Sequence, residues 1–260
     1  MPTFLWNETV FGPIHSRRVG NSLGINLLPT GCKLCTFDCV YCECGSRKAE
    51  GESSEKASLC SLPSLEEVRE AVEGRFKSLS EEGAKVDSIS FTGNGEPTLH
   101  PNFAEIIDCV IANRNQYFPN AVVSVFTNGT TVQKPEVAKA LSKVDNPILK
   151  LDAALPGLLA RMNRPSMDFS PEKAVDIFSS LGFKFILQTM FISGAVLDNT
   201  TPEALDAWYS AVKAIRPGKI MIYSVDRDTP VSGLEKVSAE RLAEIAAPLK
   251  ECGFDIQINA

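Results

Sequence analysis

Apolar runs of strand length alternate with helical patterns along most of this 260-residue chain. Between the apolar runs, apolar residues recur at the spacing that is typical of one face of a helix. The predicted strands are 25–28, 88–92, 121–127, 147–152, 183–191, 219–225 and 255–258. The predicted helices are 64–81, 102–114, 135–144, 170–182, 201–215 and 238–252. Alternating strands and helices pair in parallel through right-handed crossovers, so the pattern predicts an α/β fold.

Six strand–helix units followed by one last strand are too few for a closed eightfold barrel. We therefore predict an open, partial (β/α)6 barrel with parallel strands. One domain of residues 1–260 is expected, with 1–24 as an N-terminal segment and 25–260 as the partial barrel. In such folds ligands bind beyond the carboxyl ends of the strands, so unusual residues at those ends are expected to form one site.

Charge and hydropathy exclude several classes of protein. The chain has 26 Lys and Arg against 32 Asp and Glu, a net charge of −6, which argues against nonspecific binding to nucleic acid. No apolar run is long enough to span a membrane, and the N-terminus does not resemble a secretory signal. A cytoplasmic location is therefore expected, where clustered thiols usually bind metal or do chemistry.

The cysteines are concentrated in one place: five of the eight lie within thirteen residues. These five are Cys32, Cys35, Cys39, Cys42 and Cys44. The first four provide enough thiolates for a tetrahedral structural zinc site. Alternatively, Cys35, Cys39 and Cys42 bind three irons of a 4Fe–4S cluster and leave the fourth iron for a ligand. The zinc interpretation is weakened because Cys-x-x-Cys pairs at zinc sites usually stand about 15–20 residues apart.

The segment CTFDCVYC, residues 35–42, resembles the signature loop of the radical S-adenosylmethionine (SAM) enzymes, including the aromatic Tyr41 before the last cysteine. That superfamily has a partial (β/α)6 barrel. The resemblance implies a 4Fe–4S cluster on Cys35, Cys39 and Cys42, with SAM chelating the fourth iron. It also implies reductive cleavage of SAM to a 5′-deoxyadenosyl radical, which abstracts hydrogen from an unknown substrate. An external one-electron donor such as flavodoxin or ferredoxin is the implied partner.

Gly93, Asn94, Gly95 and Glu96 follow the second predicted strand. Glycines at a strand end allow a ligand to approach the backbone, and a carboxylate there can accept hydrogen bonds from an ammonium group. The segment resembles the Gly-Gly-Glu segment with which radical SAM enzymes bind the amino group of methionine, with Asn94 inserted. The alternative is an ordinary glycine-rich turn with a solvated carboxylate.

Polar residues also mark the ends of the later strands. Asn128 follows the third strand, and the resemblance implies that polar groups there bind the ribose or carboxylate of SAM; the alternative is a tight turn. Asp152 is suited to accept from a ribose hydroxyl or to cap a turn. Gln188 interrupts an apolar strand, which indicates a ligand or a bond to a neighbouring element. Tyr223 is suited to line the adenine, or simply to pack.

A wider pattern bears on the substrate. GPIHSRRVGNSLGINLLP, GNGEPTLHP, KLDAALPGLLARMNRP, ILQTMFISG and YSVDR resemble a radical SAM branch similar to wyosine-base synthases, which modify a guanine in tRNA. Those enzymes carry a second cluster on cysteines upstream of the signature loop, and no cysteine precedes Cys32 here. The substrate therefore stays open between a small molecule, a peptide and an RNA base. Arg17, Arg18 and Arg227 are candidates for binding an anionic group or for ordinary ion pairs.

The other cysteines have no assigned chemistry. Cys32 and Cys44 are expected to be bystanders, and Cys60, Cys109 and Cys252 to be small packing residues. No side chain is assigned as a catalytic acid, base or nucleophile. The alternative function is a noncatalytic zinc or iron–sulfur protein acting as a scaffold or redox sensor.

Overall fold

The computed structural model describes residues 4–16, 19–46, 60–227 and 229–259. Its strands are Val10–Ser16 (β1), Gly20–Ile25 (β2), Ser88–Phe91 (β3), Val122–Thr127 (β4), Asn146–Lys150 (β5), Ile186–Ser193 (β6), Lys219–Ser224 (β7), Glu235–Lys236 (β8) and Ile256–Asn259 (β9). Its α-helices are Leu65–Glu81 (α1), Phe103–Tyr117 (α2), Pro135–Leu141 (α3), Pro156–Met162 (α4), Pro171–Ser179 (α5), Pro202–Ile215 (α6) and Ala239–Glu251 (α7). A short 3-10 turn covers Pro97–Leu99.

One sheet runs through the molecule, and its strand order follows the chain as β1-β2-β3-β4-β5-β6-β7-β9. The β1–β2 pair is antiparallel, and every later neighbouring pair on this path is parallel. The two-residue β8 pairs with the end of β6. Because β1 and β9 lie at opposite ends of the order, the sheet does not close. The prediction of an open, partial (β/α)6 barrel with parallel strands is confirmed.

The helices form where the sequence places caps and apolar faces. Ser64 and Glu67 make both hydrogen bonds of a capping box at the start of α1. The buried face of α1 consists of Val68, Val72, Phe76 and Leu79. At α2, in contrast, Asn102 occupies the cap position without a side-chain hydrogen bond. The carboxyl ends of the parallel strands lie together at one edge of the sheet.

Several boundaries differ from the predictions. The first parallel strand is Gly20–Ile25 rather than 25–28. Leu27 and Leu28 are buried although they lie beyond the end of the strand, so their apolar character indicates burial and not strand structure. The strand β2 is polar in part since Ser22 donates to the Ser90 hydroxyl of β3 at 2.8 Å. The sequence patterns also missed β1, α4 and β8. Among the described residues, no helix is both long and apolar enough to cross a membrane.

Candidate metal centre

Residues 32–46, here called the cysteine loop, leave β2 and lie over the end of β3. The Leu34 N–H donates to the carbonyl of Asn94 at 2.9 Å, and the Leu34 carbonyl accepts from the Glu96 N–H at 3.0 Å. Gly95 lies between these bonds with φ +143°, and a Cβ there would stand 1.9 Å from the Leu34 carbonyl oxygen. Glycine is therefore required at position 95 because the cysteine loop, rather than a ligand, lies against its backbone.

A second segment, residues 162–166 after α4, contacts the cysteine loop from another side. The Asp38 N–H donates to Asn163 at 2.8 Å, and the Val40 N–H donates to Met162 at 3.0 Å. The Ser166 N–H donates in the opposite direction, to the loop carbonyl at residue 36, at 2.9 Å. The loop is thus fixed by backbone hydrogen bonds between two parts of the barrel that are far apart in sequence.

Lys33 fixes the cysteine loop from within. Its side chain is 3% exposed, and its ammonium lies 3.1 Å from the Asp38 carboxylate. The same ammonium donates to the Gly45 carbonyl at 2.7 Å. Burial acts to lower the pKa of Lys33, but the Cys42 thiolate and Asp38 outweigh it and raise that pKa above its usual value. A permanent positive charge therefore lies beside the loop thiols.

The three predicted ligand thiols are neighbours in different electrostatic environments. Burial, followed by the negative charges of Glu96 and Cys39, raises the pKa of Cys35 to about 12. Burial also raises the pKa of Cys39 to about 11. A hydrogen bond from Cys44 and the charge of Lys33 outweigh burial and lower the pKa of Cys42 to about 6. Of the three, Cys42 is therefore the low-pKa thiol near a cation, the kind that acts readily as a metal ligand.

In the described parts of the chain, no group of three or more His, Cys, Asp or Glu side chains converges closely enough for one metal ion. Cysteine thiolates are ligands of iron–sulfur clusters and of structural zinc, so the chemistry of Cys35, Cys39 and Cys42 suits either kind of centre.

The remaining cysteines differ from the predictions in part. Cys32 forms a disulfide with Cys60, with the two Cα atoms 5.5 Å apart, so the prediction that Cys60 is an ordinary packing residue is wrong. The disulfide also directs Cys32 away from the tetrahedral zinc set. The Cys44 thiol contacts the Gly93 carbonyl at 3.3 Å and donates toward Cys42, which places it beside the predicted ligands.

Glu96 joins the ends of β3 and β4. One carboxylate oxygen accepts from the Thr98 N–H at 3.2 Å, the Thr98 hydroxyl at 2.6 Å and the Thr127 hydroxyl at 2.7 Å. The other oxygen accepts from the Asn128 N–H at 2.7 Å. The carboxylate is 2% exposed, and burial raises its pKa above the usual value even though these donors act to lower it. Glu96 therefore acts within the fold, as a bridge between strand ends.

Asn94 connects the same strand end to the N-terminal segment. Its amide nitrogen donates to the carbonyls of Trp6 and Pro29, both at 2.8 Å. Its amide oxygen accepts from the Trp6 N–H at 2.8 Å. The side chain is fully buried, so its hydrogen-bonding groups serve the chain itself.

Asp152, after β5, is the centre of a second buried network. One carboxylate oxygen accepts from the Tyr41 hydroxyl and, at 2.7 Å, from the Asn163 amide. The other accepts from the Met190 N–H at 2.9 Å and faces the Lys150 ammonium at 3.5 Å. Tyr41, one residue before Cys42, is thereby connected to the ends of β5 and β6.

Lys150 and Asn163 are site residues that the sequence interpretation missed. The Lys150 ammonium donates to the Tyr223 hydroxyl at 3.1 Å and lies 5.3 and 5.6 Å from the ring centres of Tyr41 and Tyr223. A charged residue at the end of an apolar strand was the available signal for Lys150. For Asn163 the only signal was a polar residue two positions before a proline, Pro165.

Two other predicted positions are less informative. Gln188, opposite Lys150 in the sheet, is 3% exposed, and its amide contacts the Met221 sulfur at 3.4 Å. Arg227 pairs with Glu43 of the cysteine loop at 2.6 Å, in an exposed ion pair. The predicted anion candidates Arg17 and Arg18 lie outside the described residues.

One protein-family model matches both the cysteine loop and most of the barrel. A family model described as the Radical SAM superfamily matches residues 32–216, more than half of the chain. The chain belongs to the radical SAM superfamily. It is therefore an enzyme whose reaction is not specified by this membership.

Curated relatives of this radical SAM chain carry varied names. It is 28% identical over 247 residues to a UPF0026 protein of Methanocaldococcus jannaschii, covering 93% of this chain and 71% of that protein. It is 27% identical over 221 residues to a UPF0026 protein of Helicobacter pylori, covering 84% and 66%. A Brachyspira hyodysenteriae protein named GTPase Obg is 27% identical over 258 residues, covering 98% of this chain but only 35% of that protein.

Solved radical SAM structures share the fold. Streptococcus suis SuiB bound to S-adenosylmethionine superimposes with a TM-score of 0.59 at 12% identity, covering 88% of this chain and 49% of that one. A radical SAM methyltransferase from Sphaerobacter thermophilus gives a TM-score of 0.61 at 14% identity, covering 92% and 65%. At these identities the likeness concerns the fold alone.

Proposed function

We propose that this protein is a radical SAM enzyme that binds a 4Fe–4S cluster through Cys35, Cys39 and Cys42. The observation that carries the proposal is the fixed cysteine loop, which brings three neighbouring thiols to the carboxyl ends of the strands beside the buried cation of Lys33. When bound and reduced, the cluster supplies one electron to SAM, which yields methionine and a 5′-deoxyadenosyl radical that abstracts hydrogen from a substrate.

Some of the predicted site residues support the structure of the site, and others are proposed to contact SAM. Asn94, Glu96 and Asp152 have their side chains engaged by the protein, so we infer that they maintain the shape of the site. Gly93 is half-buried at the same strand end, and we propose that its backbone contacts the methionine part of SAM.

On the other side of the barrel mouth, polar side chains surround Lys150, whose side chain keeps 18% exposure. Gln188 lies opposite Lys150 in the sheet, and the Tyr223 hydroxyl accepts from the Lys150 ammonium. We infer that these three and Tyr41, together with Asn128 after β4, surround the nucleoside part of SAM and the substrate. The substrate is a small molecule, a peptide or an RNA base, and an external one-electron donor such as flavodoxin or ferredoxin reduces the enzyme.

The test is anaerobic reconstitution with iron and sulfide, followed by dithionite and SAM. We expect about four irons per chain, and release of 5′-deoxyadenosine. Cys35→Ala should abolish both, whereas Cys109→Ala, which removes a half-buried cysteine of α2, should retain both. Equal 5′-deoxyadenosine from wild type and Cys35→Ala would contradict the proposal.

The same metal analysis distinguishes the noncatalytic alternative. About one zinc per chain, retained in air and lost on Cys32→Ala, would indicate a structural zinc scaffold. Since Cys32 is paired with Cys60, we expect iron binding to be insensitive to Cys32→Ala.

A further inference from the structure

Two buried asparagine amides are directed at the thiols of the proposed cluster ligands. The Asn163 amide nitrogen lies 3.3 Å from the Cys39 sulfur, and the Asn128 amide nitrogen lies 3.6 Å from the Cys35 sulfur. Both asparagines are nearly inaccessible, at 1% and 6% exposure. Neither contact belongs to the metal-ligand set, yet both bring a hydrogen-bond donor to a ligand sulfur.

The number of amide protons fits this role. A side-chain amide has two N–H groups. In Asn128 one of them goes to the Thr36 hydroxyl at 2.8 Å, which leaves the other for Cys35. In Asn163 one goes to the Asp152 carboxylate at 2.7 Å. The other is directed at the Cys39 sulfur and the neighbouring Tyr41 hydroxyl, both at 3.3 Å.

The orientation of each amide is determined by its other partners. The Asn128 oxygen accepts from the N–H and the hydroxyl of Thr130 at 3.0 and 2.8 Å, so its nitrogen must face the cysteine loop. The Asn163 nitrogen donates to the carboxylate of Asp152, which can only accept, so the nitrogen and not the oxygen of this amide must point toward Asp152. The backbone carbonyl of Asn163 also accepts from the Asp38 N–H, so the residue that carries this amide is itself bonded to the cysteine loop.

We propose that Asn163 and Asn128 are positioning residues that set the reduction potential of the cluster, by donating hydrogen bonds to Cys39 and Cys35. This inference rests on the proposed function. A cysteine sulfur bound to iron keeps lone pairs that accept N–H groups. Reduction adds negative charge to the cluster and its thiolates, so these donors stabilise the reduced form and make the potential less negative.

The experiment is an EPR-monitored redox titration of the anaerobically reconstituted protein without SAM. Asn163→Leu keeps the branched shape of the side chain and has no N–H, so its midpoint potential should shift to a more negative value. Asn128→Leu should shift in the same direction by less, since its contact is longer. Asn163→Gln, which keeps an amide donor, should recover part of the shift.

Asn199→Leu is the matched control. Asn199 is an equally buried asparagine whose amide donates to the carbonyls of Asp152 and Met190, both at 2.8 Å, and to no sulfur. We expect this variant to lose stability and to keep the wild-type midpoint potential. If Asn163→Leu does not fold, Asn163→Ala replaces it, since that change also removes the N–H groups, adds no charge, and should shift the midpoint in the same direction.

The outcomes separate this inference from the proposed function. Wild-type protein that takes up no cluster would overturn both. Wild-type protein with a full cluster, and Asn163 and Asn128 variants with an unchanged midpoint, would overturn only this inference. A shift of the same size in Asn199→Leu would also overturn it, because the effect would then follow from loosened packing rather than from a lost N–H···S contact.

Discussion

Glu96 and Lys150 are both charged residues at strand ends, but they differ in their burial and in the number of their hydrogen-bond partners. The Glu96 carboxylate receives four donors from the ends of β3 and β4 and is 2% exposed. The Lys150 ammonium, at the end of β5, has one hydrogen bond at 3.1 Å, one ion pair at 3.5 Å and two aromatic faces, and its side chain stays 18% exposed.

This difference distinguishes two sides of the barrel mouth, one that supports the cysteine loop and one that is open to a ligand. A carboxylate saturated by donors from the chain itself belongs to the support of the cysteine loop. The partly exposed Lys150 ammonium directs two of its three N–H groups at Tyr223 and Asp152, so the third is available to a ligand. We therefore expect substitutions on the Glu96 side to affect stability, and substitutions on the Lys150 side to affect binding.

Gly95→Ala should have the largest effect. The added Cβ would stand 1.9 Å from the Leu34 carbonyl oxygen, at a backbone φ of +143°. We expect a loss of at least about 3 kcal/mol in the free energy of unfolding, or release of the cysteine loop. Urea denaturation measures the first, and loss of reconstituted iron measures the second. Gly157→Ala is the control, because nothing lies within 4 Å of its added Cβ; equal stability of the two variants would contradict the docking of the loop on Gly95.

Thr127→Val should have a smaller effect on the same side. It removes a hydroxyl that donates to Glu96 at 2.7 Å and accepts from the Gly129 N–H at 3.1 Å, with little change in shape. Because a buried carboxylate then lacks one donor, we expect a loss of about 1–3 kcal/mol in unfolding free energy. Urea denaturation of the apoprotein is the measurement. A wild-type midpoint and slope would show that Glu96 does not support the strand ends.

Lys150→Met should have the smallest effect on stability. Asp152 keeps its donors from Tyr41, Asn163 and Met190, and methionine replaces the lysine stem between two aromatic rings. Because Lys150 is partly exposed and its ion pair with Asp152 is long, at 3.5 Å, we expect a loss of about 1 kcal/mol in unfolding free energy, less than for a fully buried pair. Binding of SAM to the reconstituted enzyme should weaken by about tenfold, or about 1.4 kcal/mol, measured by equilibrium dialysis. The comparison fails if this variant unfolds as easily as Gly95→Ala while binding SAM normally.

Much of the fold was predictable because its signals are local. The capping box at Ser64 and Glu67 and the apolar face of α1 are complete within one helix. The β-branched run of β4 gave that strand almost to the residue. The strand β2 was misplaced because its alternation includes Ser22, whose hydroxyl is bonded across to β3, a partner that lies 68 positions away in the chain.

The candidate site was predictable only as a set of positions. The spacing of Cys35, Cys39 and Cys42 is contained in one loop, so it could be recognised there. The donors that surround the thiols come from residues separated from them by 93 and 124 positions in the chain, at Asn128 and Asn163. The pairing of Cys32 with Cys60 spans 28 positions and has no local signature either.

The sequence by itself determined the alternation that makes an open barrel and the thiol spacing by which the cysteine loop was recognised, because hydrophobic period and residue spacing act over a few residues. Only the tertiary structure decided which polar groups serve the fold and which remain for a ligand. Glu96 and Lys150 look alike in sequence, as charged residues beside apolar strands. Their roles differ because hydrogen-bond saturation depends on the neighbours that the folded chain brings within 3 Å or so of each charge.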